Sequence, residues 1–469
     1  MADPSAPPAP RPSRFRGRLI GVAALAALVG GTGFALQHAA GPRGAPPGSA
    51  EPSRSGAWFC PHGGGDGWRG WVAITNPNAH PVQVRLTTFA DHGERAGSTF
   101  EVPGMRQVYR AVPADGPSAA TEVEYFDGWI GAAAVLEPDS PGGRIAAERC
   151  VSGPHQTWFV ADAETGRGTT SYLVVMNPFS QDAAFDVTLQ TDKRSAIGPG
   201  PLTPYVVPRG RSAALRLNDF LLEGPDEHVL AVQVRVKIGR VVAGGLTISA
   251  DGVRAEAAAP SPVARWVVPA GRDAGSSTLD IFNPTTRRAD LSIVVQGDSR
   301  QRLVSGVEGL SIGPGEASSF DPGASAGLGV VVESTNQVPI VVARREVGEQ
   351  GDPASMGGAT GGAGRWLVMP GLPPSGGRGL LLLENPGRTA VHVSLGFIGR
   401  TGPPRVASVG SLTVPAGRMV VVDLSAATGA KPITVVVATR GGTIVAASAS
   451  YSRGGGYGAT LGEPMVSGR

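Results

Sequence analysis

The chain has 469 residues, enough for three or four domains with their own cores, and its 69 Gly and 41 Pro make up nearly a quarter of it. The formal charge of +3 sits in the first 18 residues, where Arg11, Arg14, Arg16 and Arg18 face only Asp3; beyond them acidic and basic residues balance. This excludes the basic stripe a nucleic-acid binder needs, and turn residues spaced between Val-, Leu- and Ala-rich runs favour many short strands over a low-complexity chain.

Residues 1–18 read as a basic cytoplasmic tail. From Leu19 to Pro42 there is no Lys, Arg, Asp or Glu. As a helix rising about 1.5 Å per residue, this stretch would cross most of a hydrocarbon core of about 30 Å. A single-pass transmembrane signal-anchor over 19–40 is predicted, with the arginines inside, the body extracytoplasmic and 41–55 as a linker. The alternative is a cleaved signal peptide, which would leave the body secreted; no small-x-small cleavage site stands out around Gln37-His38-Ala39-Ala40.

Beyond the linker a period emerges. Trp58, Trp158, Trp266 and Trp366 are spaced 100, 108 and 100 residues apart, and Asn-Pro steps at Asn76, Asn177, Asn283 and Asn385 keep register with them. A Pro followed closely by Gly recurs as a third marker, at Pro103, Pro208, Pro314 and Pro415. Within each unit a Trp strand leads to a strand that the Asn-Pro turn ends, because Pro lacks an N–H and restricts its neighbour. An alternating strand such as Val82 to Leu86 follows, and the unit closes in hairpins at 229–238/241–249, 329–333/339–346 and Ile433–Thr439/Thr443–Ser448. Seven short strands in about 100 residues predict an immunoglobulin-like β-sandwich. The expected modules are 56–152, 153–250, 265–346 and 365–460, with linkers at 251–264 and 347–364 and a tail at 461–469.

The two cysteines, Cys60 and Cys150, fall at opposite ends of the first module, where an exported chain would allow a disulfide; two unrelated buried thiols are the alternative. Cys60-Pro61-His62 offers at most two ligands, so no metal is expected, and nothing calls for a cofactor. Gly323-Ala324-Ser325-Ala326-Gly327 copies a hydrolase nucleophile pattern but precedes a strand-like run, and Asp66 is a lone carboxylate in a glycine loop. The recurrent tryptophans read as core packing. Trp68, Trp71 and Trp129 belong to the first module alone and are the candidate surface for a glycan or protein partner.

These markers, with endings such as Ile145-Ala146-Ala147-Glu148-Arg149 and Ile340 to Glu346, resemble the uncharacterised DUF5719 family of actinobacterial and chloroflexal surface repeats, over about residues 56 to 460. The resemblance implies export and a β-repeat architecture and carries no site residues. The expected function is a non-enzymatic, membrane-anchored envelope scaffold or interaction protein. The alternatives are a glycan-binding accessory of a membrane glycosyltransferase and an unrecognised hydrolase. Modules about 35 Å across could string into a row of roughly 140 Å.

Overall fold

The structure, a computed structural model, describes residues 54–465 except 140–144, 167, 195, 222–226, 251, 272–273, 298–300, 304–308, 323–327, 349–352, 402–409 and 454–455. The chain divides into Met1–Ala50 and Glu51–Arg469, and every described residue belongs to the second unit. Among the described residues no helix is long and apolar enough to cross a membrane. The expected anchor at 19–40, the tail before it, most of the 41–55 linker and the Gly323–Gly327 motif lie outside them.

Apart from a four-residue helix at Ser425–Thr428 and short 3-10 turns, the described residues build an all-β body of four repeats with the same strand order. The first contains β1 Gly56–Cys60, β2 Trp68–Asn76, β3 Val82–Ala90, β4 Gly93–Val102, β5 Arg106–Val112, β6 Ala120–Phe126, β7 Gly131–Pro138 and β8 Ala146–Arg149. The second contains β9 Thr157–Val160, β10 Thr169–Asn177, β11 Ala183–Thr191, β12 Tyr205–Val207, β13 Arg211–Arg216, β14 Val229–Ile238, β15 Val242–Ser249 and β16 Gly252–Ala257. The third contains β17 Arg265–Val268, β18 Ala274–Phe282, β19 Ala289–Gln296, β20 Gln301–Leu303, β21 Ser311–Ile312, β22 Ala317–Phe320, β23 Gly329–Ser334, β24 Val341–Gly348 and β25 Pro353–Gly357. The fourth contains β26 Arg365–Val368, β27 Gly377–Asn385, β28 Val391–Ile398, β29 Ser411–Val414, β30 Arg418–Asp423, β31 Thr434–Arg440, β32 Val445–Ser452, β33 Tyr457–Leu461 and β34 Glu463–Pro464.

Each repeat holds two antiparallel sheets. In the first the orders are β1-β6-β3-β4 and β5-β2-β7-β8, and the other three repeat them, with β34 added beside β26 in the last. Alternation explains the pairing: in β3, Val82, Val84 and Leu86 are buried while Gln83 and Arg85 face solvent. In β28, Val391, Val393 and Leu395 do the same against His392 and Ser394. Residues from both sheets of the first repeat, including Trp58, Val84, Val72 and Ala132, share one core.

The repeats close on themselves. The strand equivalent to β8 in each repeat touches its counterpart in both neighbours: β8 meets β16, β16 meets β25, β25 meets β33, and β33 returns to β8. Small side chains let four strands converge, since Ala146, Ala147, Ala255, Ala354 and Ala459 are all buried there. Gly458 is held by the same crowding: a Cβ on it would lie 3.3 Å from Ile145. The expectation of separate beads in a row is thereby corrected. The stretches 251–264 and 347–364, read as linkers, carry β16 and β25, and the supposed tail contains the end of β33 and β34. Within the two stretches Ala255, Ala258, Ala354 and Ala359 are buried.

Candidate functional site

The four marker tryptophans each bridge the two sheets of their repeat. A buried indole N–H needs an acceptor. Trp58 donates to the Ile130 carbonyl at 2.8 Å, Trp158 to Val241 at 3.0 Å, Trp266 to Ile340 at 2.7 Å and Trp366 to Ile444 at 2.8 Å. Every acceptor sits just before the strand that follows it in the opposite sheet. These bonds also fix which residues correspond. Ile340 matches Ile130 and Ile444, so Ile340 to Glu346 and Ile145 to Arg149, which look alike in sequence, occupy different strands, β24 and β8.

The marker asparagines are a second set of bridges, all fully buried. Asn76 Nδ2 donates to the carbonyls of His80 and Val102, both at 2.9 Å, and its Oδ1 accepts the Asn78 N–H. Asn177, Asn283 and Asn385 repeat this pattern with Val207, Ile312 and Val414 as the distant partners. Both marker types are therefore structural.

The Cys60–Cys150 disulfide is formed, closing a sequence separation of 90. At the equivalent place in the third and fourth repeats a valine meets a glycine: a Cβ on Gly358 would lie 3.0 Å from Val268, and one on Gly462 would lie 3.0 Å from Val368. The covalent link occupies a site that van der Waals contact fills elsewhere.

The three tryptophans peculiar to the first repeat do not form one patch. Trp68 is buried and donates to the Gly63 carbonyl at 2.9 Å, so its ring offers no face to a partner. Trp71, three residues along β2 and hence on the other face of the sheet, is half-buried and donates to Glu137 Oε2 at 3.2 Å. Trp129 is also half-buried, edge-on to Trp58 with centroids 6.1 Å apart, and packs toward Leu367 and Met369 of the fourth repeat.

The densest chemistry lies between repeats, at positions not singled out from the sequence. Between the second and third repeats Arg254 Nε lies 3.1 Å from Asp162 Oδ2, while its Nη1 donates to Glu164 Oε2 at 3.1 Å. Arg345 of the third repeat crosses to donate to the same Glu164 oxygen at 2.8 Å, and Ser355 donates to Asp162 at 2.6 Å. Glu256 Oε2 accepts the Asp162 N–H at 3.2 Å, and Asp280 accepts from Ser319. Four carboxylates thus share two guanidinium groups. Burial, reinforced by the Asp162 charge, pushes Asp280 up to about 7 and raises Glu256 as well. A small cleft of about 10 Å³ beside Asp162 is lined by Ser171, Thr247 and mostly apolar residues, and the Ser171 hydroxyl donates to the Glu164 carbonyl.

The other seams are built differently. Between the first and second repeats a buried His62–Glu148 pair sits against Gly244, where a Cβ would lie 2.7 Å from the imidazole. Between the third and fourth, Tyr457 donates to Glu346. Between the fourth and first, Arg149 lies 3.4 Å from Glu463, whose carboxyl is pushed up to about 7 by burial against the opposing pull of Arg149. No motif flags these residues, because an isolated charge in a strand resembles a solvent-facing one until the neighbouring repeat is placed.

Residues 127–371 and 362–460 match the family described as "Family of unknown function (DUF5719)". The chain belongs to that family. The DUF5719 assignment thus rests on all four repeats, the first through its last strands. No curated protein matches. Among solved structures, the "tetra-tandem repeat in extending region of large adhesion protein" aligns at 10% identity over 84% of this chain and 95% of that one, with a TM-score of 0.11.

Proposed function

We propose that the chain is a non-enzymatic scaffold of the cell envelope, anchored through residues 19–40, in which four immunoglobulin-like sandwiches form one rigid platform for other envelope components. The observation that carries this reading is closure of the ring: chemically distinctive side chains such as Asp162, Arg345 and Tyr457 bond from one repeat to the next. The paired sheets with a shared core in each repeat support the immunoglobulin-like description. The outer faces are then the surfaces offered to partners. Among the described residues the exposed large apolar side chains are Phe126, Val206 and Ile238.

A second reading, a glycan-binding accessory, draws on the half-buried Trp71 beside Glu137. Crosslinking the tagged full-length chain in its native membrane and identifying what is recovered separates the two. Recovery of defined envelope proteins, unchanged by Trp71→Ala, is expected for a scaffold. Recovery of polysaccharide that Trp71→Ala abolishes would overturn that reading in favour of the second.

A further inference from the structure

Three equivalent positions meet at every seam. The residue just before the marker asparagine enters a notch in the preceding repeat, formed by a cross-strand pair. Met176 shares a core with the paired Phe89 and Ala120, Phe282 shares one with Ala231, and the Thr75 hydroxyl bonds that of Thr434. At the seam between the third and fourth repeats the entering residue is Glu384 and the pair is Gln296 and Gly329.

Glu384 is fully buried, and among the described residues neither carboxyl oxygen has a hydrogen-bond partner. Its carboxyl fills the space a side chain at 329 would take: a Cβ on Gly329 would lie 2.5 Å from the carboxyl carbon. Gln296, directly across from Gly329 and so on the same face, is 1% exposed, with its amide oxygen also unpartnered. A buried carboxylate with no hydrogen-bond donor on either oxygen is costly, whereas the protonated acid leaves no charge unsolvated.

The surroundings agree. On β30 and β32 the residues opposite Glu384 are Met419 and Val445, which carry no charge. From the third repeat Arg344 and Arg265 draw the carboxyl toward ionisation, but Arg344 donates to Ser277 and to the Leu328 carbonyl, both at 2.7 Å, and lies 3.4 Å from Glu346. Arg265 lies 3.9 Å from Glu333. Burial outweighs both and pushes Glu384 up to about 8.

We propose that this seam is an acid-closed latch: Glu384 occupies it as the neutral acid, and loss of its proton to solvent parts the fourth repeat from the third. The inference rests on the ring, not on the scaffold reading. Because the closed form holds the proton more tightly than the open one, closure is strongest in acid and weakens as pH rises. Between the ordinary carboxyl value near 4.3 and about 8, each pH unit shifts the equilibrium toward opening roughly tenfold, and beyond about 8 it levels off.

Hydrogen–deuterium exchange of the full chain at about pH 5.5, 7 and 8.5, corrected for intrinsic exchange, reads this directly. Peptides covering β23 and β27 are expected to lose protection with rising pH, while those covering β6 and β10 at the first seam hold theirs. Glu384→Gln, a neutral isostere, should flatten the profile, and Glu384→Met, copying Met176, gives the same comparison should the glutamine variant not fold. A wild-type profile no steeper than the first seam's, or one that either variant retains, overturns the latch.

Discussion

Thr75 and Thr434 stand 359 residues apart in sequence, yet their hydroxyl oxygens lie 2.8 Å apart in a buried hydrogen bond. This pair joins the first repeat to the last and lies at the point where the ring closes. Nearby, the Tyr109 hydroxyl donates to the Leu372 carbonyl at 3.0 Å and the Gln107 N–H to the Gly399 carbonyl at 3.2 Å. Thr75→Val keeps the shape but strands the Thr434 hydroxyl, so a loss of about 1–3 kcal/mol is expected in urea unfolding. Thr75→Val with Thr434→Val should cost less than the two single losses summed. Additive losses would mean the hydroxyls are not coupled.

The disulfide should act on the first repeat specifically. Closing its loop stabilises by up to about 4–5 kcal/mol in the chain-entropy model. Replacing Cys60 by Val and Cys150 by Ala copies the Val160 and Ala258 arrangement of the second repeat. This variant is expected to fold, with exchange protection lowered first in β1 to β8. Unchanged protection there would show that packing alone secures the repeat.

At the second seam, Arg254→Met should cost about 3–5 kcal/mol, because it leaves Asp162 and Glu164 buried or half-buried with one guanidinium fewer. Adding Asp162→Asn should recover part of that loss in a thermal melt. No recovery would mean that Arg254 contributes through packing rather than charge.

The acid-raised groups give the folded body a pH signature. Asp280 and Glu463 are both pushed up to about 7 by burial. A carboxyl whose folded value exceeds its unfolded one favours the folded state below the unfolded value, and that stability is lost as pH rises through the folded value. Calorimetric Tm is therefore expected to fall between about pH 4.5 and 7. Asp280→Asn should flatten part of the slope; a Tm that climbs over this range would contradict the assignment.

Much of the architecture was legible in the sequence. The Trp and Asn-Pro markers located the repeats because each performs the same buried bonding job four times, and Cys60 and Cys150 were read at the two ends of the first module, which the disulfide joins. The eighth strand was legible only in the first repeat, where Ile145 to Arg149 reads as a strand ending. Ala354-Ser355-Met356 and its other counterparts are short, small and flanked by Gly and Pro, so local pattern reads them as linker, and only contact with three other repeats makes them core. The seam residues share this cause: Asp162 and Arg345 meet across 183 positions, beyond any local spacing rule.

The ring itself is tested most directly by small-angle X-ray scattering from the Glu51–Arg469 unit in solution. A closed, compact body of this size should give a radius of gyration of about 22 Å, whereas four modules in a row roughly 140 Å long would give about 40 Å. A value near the first, with a bell-shaped pair-distance distribution, is expected; a value near the second, with a long tail, would contradict ring closure.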